Sequence, residues 1–172
     1  MRYHSHIMTS LCIGAVTAAY TPLPFTASYT AGIIIGSLLP DIDEPKSYVG
    51  RRSLGMSHKV KEAFGHRGMT HSLFVWAVIA FIVMVESSST FSIGFVLGYL
   101  FHIIADFLSV QGVPLLWPFQ TKRYKIPLYR TGSALETVLF YGAFALLIYI
   151  GSQYHLFYEW WRSFLLLLRQ WM

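Results

Sequence analysis

The sequence has few charged residues and a single cysteine, and each scarcity excludes a class of protein. Only 12% of the residues are charged, against roughly a quarter in an ordinary soluble domain, while 55% are hydrophobic. Such a chain has too little polar surface to coat a soluble globule, so the composition predicts a membrane protein. The lone Cys12 excludes an internal disulfide and a cysteine-based zinc cage.

The sequence also lacks a recognised nucleic-acid-binding module, although it carries a formal net charge of +5 and a pI near 9.4. In a hydrophobic chain, the bias of basic residues toward cytoplasmic loops and their attraction to anionic lipid explain such an excess better. We therefore expect the membrane and its lipids as partners, and no nucleic acid.

Apolar stretches divide the chain into candidate helices. They cover residues 7–20, 27–39, 72–85, 91–110 and 134–150, followed by an amphipathic piece at 154–171. A full helical span needs about 20 apolar residues, so the first two stretches form a short hairpin that crosses or dips into the bilayer. We predict an all-α polytopic membrane helical bundle of about four to six apolar helices. It is a single integral membrane domain over residues 1–172, with its motifs in 6–120 and a C-terminal helical part at 134–172.

The charge distribution predicts the orientation of this bundle. Two hairpins place the N-terminus, the 40–70 loop and the 111–133 loop on one side of the membrane. Eleven of the 13 Lys and Arg residues lie there, one at Arg2, six in the first loop and four in the second. The positive-inside rule makes this side cytoplasmic in a multi-pass protein of the inner membrane. The first stretch lacks a clean cleavage site, so we expect the N-terminus to be retained.

Histidines and carboxylates lie at the ends of the apolar stretches that face this side. They are His6, Asp41, Asp43, His66, His71, His102, Asp106 and Glu136. Imidazole and carboxylate are ligands for borderline divalent ions, chiefly Zn²⁺, with Mn²⁺ or Fe²⁺ as alternatives. The sequence therefore predicts a His/Asp metal site at one membrane face, holding one to three ions.

Such a site is suited to hydrolysis. A metal ion lowers the pKa of bound water to about 7, and a carboxylate that bridges two ions clamps the attacking and leaving oxygens of a phosphoester. Asp41, Asp43 and Asp106 are the candidates for this bridge. Arg67 is expected to stabilise charge that develops on a phosphate. Arg67 and Asp43 are thus the predicted catalytic residues.

Each residue also has a simpler interpretation. His102 alone could bond a carbonyl group of a neighbouring helix, and Asp41 and Asp43 could be turn residues beside Pro40. However, His102 and Asp106 are four residues apart and share one helix face. An ionisable residue at membrane depth is costly and needs a partner or a function, which favours the metal site.

Four ordered motifs resemble the YdjM-type family of bacterial membrane-bound, predicted metal-dependent hydrolases. They are residues 36–43 (GSLLPDID), 65–73 (GHRGMTHSL), 98–106 (GYLFHIIAD) and 112–118 (GVPLLWP), and His6 matches as well. The resemblance covers roughly residues 6–120. It implies a hydrolase whose site residues are His6, Asp41, Asp43, His66, His71, His102 and Asp106. The spacing of His102 and Asp106 is also similar to that in secreted zinc-dependent phospholipases C, which favours a lipid or phosphodiester substrate.

The sequence therefore predicts a membrane-embedded enzyme that hydrolyses a lipid or lipid-linked (phospho)ester with metal-activated water. A divalent-metal transporter or channel is the first alternative, because intramembrane His and Asp residues often mark ion pathways. A non-catalytic membrane protein whose metal only ties loops to helices is the second. The oligomeric state stays open.

Overall fold

The computed structural model describes residues 1–65 and 67–171, and over this part of the chain it is helical apart from two isolated β-bridges. The described α-helices are α1 (Tyr3–Tyr20), α2 (Ala27–Leu38), α3 (Met56–Phe64), α4 (Leu73–Glu86), α5 (Thr90–Phe107), α6 (Ala134–Gln153) and α7 (Leu156–Trp171). The predicted all-α class is confirmed, and the apolar stretches of the sequence correspond to α1, α2, α4, α5 and α6.

Helices α5 and α6 are long and apolar enough to cross a membrane, with mean hydropathies of 1.6 and 1.8. Helix α4 is apolar but shorter, at 14 residues. Large apolar side chains point outward from these helices, among them Phe81 on α4 and Val138 on α6, which are 70% and 64% exposed. Water would not favour such a surface, whereas hydrocarbon would.

Side-chain hydroxyl groups cap the N-termini of four of the helices. Thr26, Ser72, Ser89 and Ser133 each accept a hydrogen bond from a backbone N–H in the first turn of α2, α4, α5 and α6, respectively. These caps satisfy donors that have no partner within the helix. They therefore fix where each helix starts, and with it the depth of the polar side chains near the helix ends.

Paired glycines let α2 and α5 pack backbone to backbone. Gly32 and Gly36 on α2 face Gly94 and Gly98 on α5, and a Cβ atom at any of the four would overlap backbone atoms of the other helix. Small residues four apart are the usual means of close helix contact in membranes. This contact brings the end of α2 against the last turns of α5, where His102 and Asp106 lie.

We expect Gly36→Ala to destabilise the protein by roughly 1–3 kcal/mol, because the added methyl group overpacks this contact. Gly142→Ala on α6 is the matched control, since a Cβ atom there meets nothing within 4 Å. The measurement is the midpoint of thermal unfolding in detergent. Equal midpoints for the two variants would show that the α2–α5 contact is looser than described here.

The loop between α2 and α4 has more structure than the sequence indicated. It contains α3 and three short 3₁₀ turns, Leu39–Asp43, Gly50–Arg52 and Met69–His71. Helix α3 packs on the Leu39–Asp43 turn. A helix of nine residues is too short to give a clear apolar period, so the sequence did not predict it.

The C-terminal helix α7 packs at the end of the bundle opposite these turns. The Trp160 indole donates to Thr30 Oγ1 at 2.8 Å, and the Ser163 hydroxyl accepts from the Ala27 N–H at 2.8 Å, both in the first turn of α2. Leu156 joins the apolar core formed there by residues such as Tyr29 and Ile33. The bundle thus has an apolar end and, around the 3₁₀ turns, a polar end.

A candidate metal and active site

Five of the predicted ligands converge at the polar end of the bundle. His6 comes from the first turns of α1, and Asp41 from the Leu39–Asp43 turn. His71 ends the Met69–His71 turn, and His102 and Asp106 lie in the last turns of α5. Four of these side chains are at most 1% exposed, whereas Asp41 is 17% exposed and forms the opening of the cluster.

The donor atoms of these side chains face one another. His71 Nε2 lies 3.2 Å from His102 Nε2 and 3.4 Å from Asp106 Oδ2. Asp41 Oδ1 lies 3.8 Å from His102 Nε2 and 4.0 Å from His71 Nε2, and His102 Nε2 lies 3.7 Å from Asp106 Oδ2. The nitrogen and oxygen lone pairs thus surround one small volume.

The spacing and chemistry of these donors fit a divalent metal. An ion with bonds of about 2.0–2.1 Å to nitrogen and oxygen holds tetrahedral ligands about 3.3 Å apart. His6 adds a second argument, because among the described residues neither ring nitrogen of this buried side chain has a hydrogen-bond partner. Its Nε2 points toward Asp106 Oδ1 at 3.5 Å, and its ring stacks on that of His102. Buried polar atoms without partners are costly, and a metal ion would satisfy them.

Two overlapping groups of ligands exist within this cluster. His6, Asp41 and His102 form one, and His71, His102 and Asp106 form the other. Asp106 presents Oδ1 toward His6 and Oδ2 toward the other two histidines. It is therefore the carboxylate best placed to join the two groups.

The backbone of α2 orients His102. Its Nδ1 lies 2.6 Å from the Ser37 carbonyl oxygen, a bond that requires the proton on Nδ1 and leaves the Nε2 lone pair directed at the cluster. His102 can therefore bond a carbonyl group of the neighbouring helix and also bind a metal ion, because Nδ1 makes the carbonyl bond and Nε2 faces the cluster. The glycine-mediated contact of α2 with α5 is what makes this bond reachable.

Asp43 lies behind His71. Its Oδ2 is 3.3 Å from His71 Nδ1 and accepts hydrogen bonds from the Arg67 N–H and the Thr70 hydroxyl. Burial of the His71 imidazole lowers its pKa, but Asp106 and Asp43 outweigh burial and raise that pKa to about 9. This strongly negative environment attracts a cation, whether a proton or a metal ion.

Arg67 closes the other side of the cluster. It is 4% exposed, its Nη2 lies 2.7 Å from Asp106 Oδ2, and its Nη1 donates to Ser109 Oγ at 3.0 Å. Its backbone adopts φ 52°, a left-handed conformation that side chains rarely take. The Asp43 carboxylate holds this conformation by accepting from the Arg67 N–H, and so aims the guanidinium at the cluster.

A cleft of about 590 Å³ opens onto the cluster beside Asp41. Five cationic side chains line it, namely Arg2, Lys46, Arg51, Lys61 and Arg67, against the two carboxylates Asp41 and Glu44. Among these cations only Arg67 was predicted from the sequence to take part in the chemistry, and the other four entered only the charge distribution that predicts the orientation. Their position makes the cleft suitable for an anionic molecule, because fixed charges in a concave site raise the local concentration of the opposite charge.

Three predicted ligands are not among the five. Asp43, predicted as both a ligand and a catalytic residue, lies behind His71 and joins neither ligand group of the described residues. The Glu136 carboxylate accepts from the backbone N–H groups of Arg2 and Gly132 at 2.6 Å each, and among the described residues it joins neither ligand group. It ties α6 to the start of α1 at the same end of the bundle. His66 lies outside the residues that the structure describes.

Residues that the sequence did not single out support the cluster. Thr70 bonds both Asp43 and His71 Nδ1, Ser109 holds Arg67, and the Tyr99 hydroxyl donates to the Thr70 carbonyl at 2.8 Å. Thr70 adjoins His71, and Ser109 lies three residues after Asp106, so proximity along the chain was the available signal. His4, which is not among the predicted ligands, lines the cleft.

Comparison with known proteins gives consistent matches. The family described as YdjM inner membrane protein matches residues 1–172. The inner membrane protein YdjM of Escherichia coli (strain K12) is 38% identical over 149 residues, which cover 79% of this chain and 76% of that protein. YvsG of Bacillus subtilis (strain 168) is 34% identical over 140 residues, or 80% and 86% of the two chains. The inner membrane protein YbcI of Escherichia coli (strain K12) is 30% identical over 132 residues, or 72% and 70%. No solved structure matches the chain significantly.

Proposed function

The chain belongs to the YdjM family of inner membrane proteins, and on that premise we propose that it is a metal-dependent hydrolase of a lipid or lipid-linked phosphoester. One observation carries the proposal, namely a buried cluster of three histidines and two aspartates that opens through Asp41 into a basic cleft. Perturbed ionisable residues that converge on a cleft are typical of active sites.

The ligands of the proposed metal are His6, Asp41, His71, His102 and Asp106. We favour Zn²⁺, with Mn²⁺ or Fe²⁺ as alternatives, and one to three ions, because the donors are imidazole and carboxylate. When bound, such an ion supplies Lewis acidity and lowers the pKa of water to about 7. Asp43 orients His71, and the Ser37 carbonyl orients His102, so both imidazoles are held for binding before a substrate arrives.

The chain's own residues account for the remaining steps. Cations of the cleft attract the anionic group of the substrate, and Arg67 at its floor places a planar pair of N–H donors beside the cluster. Such a fork matches two oxygens of a phosphate and stabilises the charge that develops on them. Asp41, the most exposed of the cluster carboxylates, is placed to accept a proton at the mouth of the cluster.

The apolar end of the bundle argues against the transporter alternative. A pathway for ions requires polar groups along the whole crossing, but the described core beyond the cluster contains Ala15, Tyr29, Ile33 and Ile150. The exposed edge of Asp41 argues against a closed structural site, since structural metals are enclosed by their ligands and catalytic metals keep an open position.

The proposed activity is tested with the full-length protein in mild detergent. We expect it to hydrolyse bis(p-nitrophenyl) phosphate or the phosphoester of a phospholipid headgroup, and a chelator to remove this activity. Added Zn²⁺ or Mn²⁺ should restore it. Hydrolysis that persists at full rate in chelator-treated, metal-free protein would contradict the metal-dependent mechanism.

We further propose that the protein crosses the inner membrane several times with the cleft facing the cytoplasm, as the basic loops predict. In a Cys12→Ser background, cysteines introduced at Lys59 and Lys122 should react with a membrane-impermeant maleimide only after the cells are permeabilised. A cysteine at Ser88, in the link between α4 and α5, is the control and should react in intact cells. The reverse pattern would invert the orientation.

A further inference from the structure

A second concave surface lies between α1, α5 and α6, beside the exposed apolar face of α6. It is a groove of about 440 Å³ whose lining is almost wholly apolar. Its walls include Ile13 on α1, Ile104 on α5, Leu108 directly after α5, and Leu139 and Leu146 on α6. The volume is within the range of about 300–1,000 Å³ that is usual for small-molecule sites.

The groove lies next to the basic cleft. The segment from Leu128 to Thr131 borders both, since Leu128 and Tyr129 line the groove and Thr131 lines the cleft. Met1 lines both as well. Ala105, the neighbour of Asp106 on α5, forms part of the groove wall, so the groove and the cluster lie on the same turn of this helix. Cationic polar space and apolar space thus lie side by side at Met1 and the 128–131 segment, near the His/Asp cluster.

We propose that this groove binds one acyl chain of an anionic phospholipid whose phosphate lies in the cleft. The inference rests on the proposed function and specifies its substrate as a two-part molecule. The cleft supplies the cations that a phosphate requires, and the groove supplies only hydrocarbon contact. The phosphate therefore suits only the cleft, and the acyl chain suits only the groove. Helix α6 is largely exposed, which leaves the groove open to the bilayer for lateral entry.

Gly142 keeps the groove open. It lies on the α6 wall, and a Cβ atom there meets nothing within 4 Å, so a larger side chain can begin there without a clash and extend into groove space. Gly142→Leu therefore fills the groove, and leucine favours a helix more than glycine does. Ala145→Leu is the matched control, because Ala145 is also exposed on α6 but does not line the groove.

The test uses full-length protein in phosphatidylcholine vesicles that contain a small fraction of phosphatidic acid with a photoreactive group in its acyl chain. Cross-linked peptides are identified by mass spectrometry. The phosphatidic acid probe should label the groove segments of α1 and α6 well above α4. A phosphatidylcholine probe with the same photoreactive chain should label them evenly. Gly142→Leu should lower groove labelling by about tenfold, the change expected when contact with roughly two methylene groups is lost.

Even labelling by both probes, or equal labelling of the Gly142→Leu and Ala145→Leu proteins, would overturn the proposal. Labelling needs no turnover, so the two levels of inference can fail separately. Selective labelling without any phosphoester hydrolysis would support the lipid-binding groove but contradict the proposed hydrolase activity. Hydrolysis with even labelling would leave the hydrolase and remove the groove from its mechanism.

Discussion

Replacing Asp106 with asparagine is expected to lower hydrolysis by about 10³-fold or more. Loss of an outer partner of a metal ligand typically costs about 10–100-fold, and Asp106 faces the cluster directly with both oxygens. Asparagine keeps the shape of the side chain but removes the charge that His6, His71 and Arg67 surround. The rate with bis(p-nitrophenyl) phosphate and the bound metal are measured on the same preparation.

Two further variants separate a metal effect from a folding effect. Asp43→Asn, which acts through His71, should fall in the 10–100-fold range and should be rescued in part by excess metal, by about tenfold. Glu62→Gln, an exposed carboxylate on α3, should match the wild type. If the Asp106→Asn protein does not fold, His102→Ala is used instead, because His102 is the other proposed ligand on α5 and its loss should also abolish activity. Full activity in a folded variant of either ligand would contradict the assigned site.

Arg67→Lys is expected to lower kcat by about 10²-fold while the metal is retained. Lysine keeps the charge, but it lacks the planar fork with which Arg67 contacts Asp106 and Ser109 and would contact a phosphate. Removal of one preorganised donor from a transition state typically costs about 10²–10³-fold in kcat. The measurement is kcat and KM together with metal content.

Arg52→Lys is the matched control for Arg67→Lys, because Arg52 belongs to the same loop and lies over the ring of Tyr48 but does not itself line the cleft. It should leave kcat and metal content unchanged. A purely structural role for Arg67 would instead lower thermal stability, metal content and activity in parallel. That outcome would remove Arg67 from the reaction.

The meeting of the His/Asp residues could be predicted from the sequence because it depends on topology alone. Any pair of helical hairpins returns the chain to the side it left, so the starts of α1 and α4 and the ends of α2 and α5 must share one side. His6, Asp41, His71 and Asp106 lie at those ends, and a helical period of 3.6 places His102 on the face of Asp106. Errors of a few residues in the helix boundaries do not change this result.

The division of roles within the cluster could not be predicted in the same way. Asp41 and Asp43 are two residues apart in a turn, and only the 3₁₀ geometry sends Asp41 to the opening and Asp43 behind His71. Glu136 lies at the predicted end, but the backbone N–H groups of Arg2 and Gly132 bond its oxygens. Which oxygen or nitrogen each of these side chains contacts depends on small differences in position, which residue spacing does not define.

The glycines of α2 and α5 form a pattern that is visible in the sequence, but it was not used to predict which helices pack together. Gly32, Gly36, Gly94 and Gly98 form two pairs with a spacing of four residues, which is a known pattern for close helix packing. From the sequence alone, neither pair identifies its partner helix. The structure shows that the two pairs face each other, and this places the Ser37 carbonyl against His102.

The most direct test of the account is the metal content of the purified full-length protein, combined with X-ray absorption at the edge of whichever metal is found. The account predicts at least one Zn, Mn or Fe per chain, a first shell of nitrogen and oxygen donors that includes imidazole, and loss of the metal in His102→Ala and Asp106→Asn but not in His58→Ala. Folded wild-type protein that binds none of these metals, even after incubation with each of them, would contradict it.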